Sequence, residues 1–130
     1  MIKMIKKNKF SILVAMTIMY LSLTSSHTFD QVSFITIPYI DKIVHFCMYF
    51  GLMSLIILEN HKTIYKTGNL FLIGLIPFFY GIFLEIMQST LTLTRTGSFY
   101  DALFNCIGIL VSILLWLLIR PPEKKYSDSN

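Results

Sequence analysis

Long apolar runs decide what this chain can fold into. The stretches about 70–91 and 100–119 match the roughly 20 apolar residues that a helix needs to cross the hydrocarbon of a bilayer. A backbone in hydrocarbon must satisfy its own hydrogen bonds, so each such run is a helix. Two further apolar runs, about 9–26 and 42–58, raise the expected number of spans to four. Of the 130 residues, 55% are hydrophobic and 14% charged, more apolar side chain than a water-soluble core of this size can bury. The reading is an all-α polytopic membrane protein, a single domain over residues 1–130. Its form is a four-transmembrane-helix bundle with a polar tail at 120–130.

Local signals refine the spans. The basic start, short apolar run and small residues near Ser25 and Ser26 also have the form of a signal peptide, but Lys9 to Ser26 reads as a retained first span. Residues Thr24 to Ile40 read as a loop. Asp41 is placed to cap the second span, and Pro77 should kink the third. Ser98 and Asp101, three apart, have the form of a capping box opening the fourth, which Arg120, Pro121 and Pro122 end.

Charge sets the expected topology. The net charge of +4 does not mark a nucleic-acid surface, because the lysines gather at chain ends beside apolar runs: Lys3, Lys6, Lys7 and Lys9, then Lys124 and Lys125. With Lys62 and Lys66 they far outnumber Lys42 and Arg95 on the other side. Both termini are therefore expected to be cytoplasmic. Cys47 and Cys106 fall in apolar segments without metal-ligand spacing and read as buried, inert thiols. The pattern calls for no metal and no cofactor.

Against this apolar background the polar residues stand out. An ionisable group within a span costs on the order of 3 kcal/mol on insertion scales, so its default reading is functional. The topology gathers Asp41, Lys42, His45, Glu85, Gln88, Arg95, Asp101 and Asn105 at the outward-facing end. Helical spacing puts Asp41 and His45 on one face, and Asp101, Asn105, Gly108 and Ser112 on one stripe. Gly74, Pro77, Gly81, Glu85 and Gln88 share another. Small residues let helices approach closely in lipid, so Gly74, Gly81, Gly108 and Ser112 read as packing positions. Blander roles compete. Asp41 and Asp101 can be helix caps, Asn105 and Ser112 interhelical glue, and Tyr49, Tyr80 and Tyr100 interface aromatics. Glu85 lies roughly two turns inside its helix and caps nothing on this reading; Arg95 is expected to pair with it or with Asp101.

In order, Asp41-Lys42-x-x-His45-Phe46-x-x-Tyr49, Glu85-x-x-Gln88, Arg95 and Asp101-x-x-x-Asn105-x-x-Gly108 resemble the VanZ-like membrane proteins over about residues 10 to 119. Where that family often continues Gly-x-x-x-Gly, this chain has Gly108 and Ser112. The resemblance implies a multi-pass protein of the bacterial cytoplasmic membrane with a cell-envelope role. The family takes its name from a protein linked to low-level resistance to teicoplanin. The leading functional reading is binding or modulation of a lipid-linked envelope precursor or a (lipo)glycopeptide, with membrane lipids as neighbours. An intramembrane enzyme using His45, Glu85 or Asp41 as acid and base, and a partner-binding bundle without chemistry, are the alternatives.

Overall fold

The computed structural model describes residues 2–24, 39–62, 64, 67–91 and 97–120. Five helices are present among them: α1 (Ile2–Lys7), α2 (Lys9–Leu23), α3 (Ile40–Asn60), α4 (Thr67–Leu91) and α5 (Phe99–Ile119). Three of these, α3, α4 and α5 with 21, 25 and 21 residues, are long and apolar enough to cross a membrane. At about 1.5 Å per residue each exceeds 30 Å. α2 is shorter, at 15 residues. The first span was expected to reach residue 26; this helix closes at Leu23, where the Thr24 N–H and hydroxyl both donate to the Tyr20 carbonyl.

α3, α4 and α5 alternate in direction, and α3 packs most extensively on α5. Their shared core is Tyr49, Leu52, Met53 and Ile57 of α3, Leu70 and Leu84 of α4, and Ile109 and Ile113 of α5; Ile18 of α2 joins it. The outer faces are apolar as well: Leu72, Ile76, Phe79, Phe83, Leu114 and Leu118 are all more than half exposed. Such a surface is incompatible with water and suits lipid. α4 runs through Pro77, which is buried on the bundle-facing stripe with Gly74 and Gly81.

Three expectations change. The N-cap of α3 is Tyr39, in the left-handed region at φ 66°, so Asp41 sits inside the first turn and is not the cap. Tyr49 is 1% exposed and belongs to the core, not the interface. Cys47 is exposed and Cys106 half-buried, so neither is a buried thiol. The expected Thr24–Ile40 loop beyond Thr24 and before Tyr39, the turn at 92–96 and the tail beyond residue 120 lie outside the described residues.

A buried polar cluster at one end of the bundle

Alternating helix directions bring the start of α3, the end of α4 and the start of α5 together. There His45, Glu85, Gln88, Asp101 and Asn105 are each 8% exposed or less. His45 Nδ1 lies 3.0 Å from Asn105 Oδ1, a distance at which the ring N–H donates to the amide oxygen. The same nitrogen is 3.7 Å from Glu85 Oε1. The other ring nitrogen, Nε2, faces Asp101 Oδ2 at 4.0 Å, too far for a hydrogen bond. Lys42 stands at the rim, 3.0 Å from Asp41 Oδ2 and 4.0 Å from Asp101 Oδ1. Asp101 Oδ1 is buried and accepts no hydrogen bond among the described residues.

Glu85 does cap a helix, though not its own. Its Oε2 accepts the Ser98 N–H at 3.1 Å, while the Ser98 hydroxyl accepts from the Tyr100 N–H at 3.2 Å as the N-cap of α5. The role that a capping box would give to Asp101 is filled from the neighbouring helix. Asp101 is left to face His45. A carboxylate at this position also meets the positive end of the α5 dipole. The loop approaches closely enough that a side chain at Gly97 would collide with the Glu85 carbonyl and the Ser89 hydroxyl. The Gly97 N–H donates to that hydroxyl at 3.1 Å.

The other expected members divide. Asp41, with its side chain 46% exposed, is tied to Lys42. Gln88 turns toward α2, where its amide donates to the Ser22 carbonyl at 2.8 Å. Arg95, and with it the expected pairing to Glu85 or Asp101, lies outside the described residues. A cavity of about 230 Å³ beside the cluster is lined by Leu21, Ser22, Asp41, Val44 and His45.

The small-residue positions explain how the cluster is held. At Gly108 a Cβ would lie 2.5 Å from the Phe46 carbonyl oxygen and 2.9 Å from the Phe50 nitrogen, so α3 and α5 touch backbone to backbone. At Gly81 it would meet the Tyr49 ring at 3.1 Å and the Asn105 amide at 3.2 Å; the missing side chain makes room for the residue that orients His45. Gly74 admits Ile113 at 3.0 Å. Ser112 is buried, and its hydroxyl lies 2.9 Å from that of Ser54, which donates to the Phe50 carbonyl at 2.7 Å. A hydrogen bond thus stands where the family's second glycine would give bare contact.

Sequence reasoning missed a second polar assembly at the opposite end. Glu59 of α3 accepts the N–H groups of Phe10 and Ser11 at 2.8 and 3.1 Å, and the Ser11 hydroxyl as well, closing the first turn of α2. Asn60 donates to Asn8 at 2.6 Å, and Arg120 donates to Thr67 at 2.8 Å. Nothing local marks Glu59, because its partners lie some fifty positions away.

Together the fold and cluster define an α-helical membrane protein with a buried histidine–carboxylate site between three helices. The chain belongs to the VanZ/LLP1 family, whose model matches residues 3–120. Comparison with curated proteins and with solved structures gives no significant match.

Proposed function

We propose that this protein spans the bacterial cytoplasmic membrane four times, with both ends cytoplasmic. Its outward-facing cluster binds the polar head group of a lipid-linked cell-envelope component. The observation that carries this reading is the concentration of His45, Glu85, Asp101 and Asn105, nearly all buried, at the bundle end opposite Lys9, Lys62 and Arg120. Burying such groups opposes insertion, and Asp101 Oδ1 is buried without a hydrogen bond among the described residues. Carboxylate and amide oxygens suit the hydroxyl and amide donors of a glycan or peptide head group, while Lys42 at the rim suits its phosphate. The cavity beside α2, with Ser22 and Asp41 on its wall, borders His45 and offers space next to the cluster. α2 acts as the remaining span, with the lysine-rich α1 preceding it at the cytoplasmic end.

Binding of a long-chain polyprenyl diphosphate to detergent-solubilised protein, followed by native mass spectrometry, tests the reading. Saturable binding that outcompetes phosphatidylglycerol and weakens about tenfold in Lys42→Gln is expected, as for loss of one charge-assisted contact. Equal retention of both lipids by wild type and variant refutes it. Because the family name derives from teicoplanin resistance, a shift in teicoplanin susceptibility on deletion of the gene is the matching cellular phenotype.

A further inference from the structure

We propose that His45, Glu85 and Asp101 form a binding site for one divalent transition-metal cation of the Zn²⁺ or Mn²⁺ type. One donor atom from each lies within 4.8 Å of the other two. One imidazole nitrogen with two carboxylates is a donor set that such cations accept, leaving a position open for water or a ligand oxygen.

The surroundings point the same way. With Nδ1 taken up by the Asn105 amide oxygen, the other ring nitrogen of His45, Nε2, is turned toward Asp101. The two atoms stand 4.0 Å apart, beyond hydrogen-bond distance, in a site from which water is largely excluded. A cation between them resolves that arrangement. Ligand atoms about 2.1 Å from a tetrahedral metal stand about 3.4 Å apart, so the gap closes by well under 1 Å. Asp101 supplies an independent sign, since its Oδ1 is buried without a hydrogen bond among the described residues, and Lys42 stops at 4.0 Å with Asp41 as its nearer partner.

The supporting shell matches what metal ligands need. Metal-binding histidines donate their second ring N–H to an oxygen, and ligating carboxylates are themselves hydrogen-bonded. Asn105 does the first for His45, and the Ser98 N–H does the second for Glu85 through Oε2, with Glu85 Oε1 standing 3.7 Å from Nδ1 of the ring. The site departs from the expectation of no metal because its donors come from three helices, each contributing one residue. No local spacing announces such a set.

The test uses full-length protein purified in detergent with a histidine-free tag, desalted and measured by inductively coupled plasma mass spectrometry. About one equivalent of Zn²⁺ or Mn²⁺ per chain is expected in the wild type, in keeping with a three-ligand site. Asp101→Asn and His45→Gln should each fall below about a tenth of that, and His61→Gln, altering an exposed histidine, should not. Should both ligand variants fail to fold, chelator-stripped wild type carries the test: added Zn²⁺ or Mn²⁺ should raise its unfolding temperature in a saturable, concentration-dependent way. Folded wild type with less than about a tenth of an equivalent of either metal and no thermal response to either overturns the site. So does equal metal content in wild type and in the Asp101→Asn, His45→Gln double variant. Neither outcome depends on head-group binding, which the lipid competition reads separately.

Discussion

Gly108→Ala is the most direct probe of how the bundle holds its polar cluster. The added methyl would lie 2.5 Å from the Phe46 carbonyl oxygen and 2.9 Å from the Phe50 nitrogen. Carbon and oxygen at rest stand about 3.3 Å or more apart, so α3 and α5 must separate by nearly 1 Å. The obstacle is backbone on both counts and cannot rotate away, which puts the cost near the upper end of the 1–3 kcal/mol typical of overpacking. Replacing a mid-helix glycine by alanine returns about 1 kcal/mol through helix propensity, leaving a net destabilisation of about 2 kcal/mol. Gly51→Ala isolates that second contribution, because nothing lies within 4 Å of its Cβ, and it should stabilise by up to about 1 kcal/mol. Denaturant unfolding in mixed micelles, with both variants measured beside the wild type, reads the difference. Separation of the helices should also lengthen the His45–Asn105 hydrogen bond, one turn away on the same two helices. Gly108→Ala with stability equal to Gly51→Ala would refute the backbone contact and the packing argument built on it.

Glu59→Ala should destabilise by about 1–2 kcal/mol, since it strips the first turn of α2 of its acceptor; the same micelle unfolding measures it. A double-mutant cycle of Ser54→Ala with Ser112→Ala should return a coupling of roughly 0.6 kcal/mol, the usual value for interhelical hydrogen bonds in membranes. In a background with Cys47 and Cys106 replaced by serine, Tyr39→Cys should react with an impermeant maleimide on intact cells and Lys62→Cys should not. The reverse pattern inverts the proposed topology.

The helices and their polar stripes were legible because a span must be apolar and a helix repeats every 3.6 residues. Asp101, Asn105, Gly108 and Ser112 were placed on one face by spacing alone, and that face is buried. Spacing does not say which partner a group will meet. Glu85 was expected to cap nothing because only its own helix was considered, whereas its oxygen reaches the start of the next one. Asp41 looked like a cap by position, yet the left-handed turn at Tyr39 begins the helix two residues earlier. Tyr49 looked amphipathic, but Gly81 opposite leaves a slot that its ring fills. Each miss comes from a contact between elements distant in sequence, where periodicity carries no signal.

The two ends of the bundle use the same device to different effect. At one end Glu59 spends its carboxylate on the amides of Phe10 and Ser11 and on the Ser11 hydroxyl, an arrangement that joins α3 to α2. At the other end Glu85 likewise closes α5 through Ser98, and joining the helices would require no more than that. Yet His45, Asp101 and Asn105 are buried there too, with Nε2 of the histidine turned to a carboxylate and Asp101 Oδ1 outside any described hydrogen bond. A structural role explains Asn105 and Glu85. It leaves the histidine and Asp101 as an excess of polar capacity in a low-dielectric site, where an unmet acceptor costs about 1–3 kcal/mol. Polar groups in a membrane bundle that exceed what packing needs are what a ligand would use. For that reason the proposed head-group site lies at the His45 end and not at the Glu59 end.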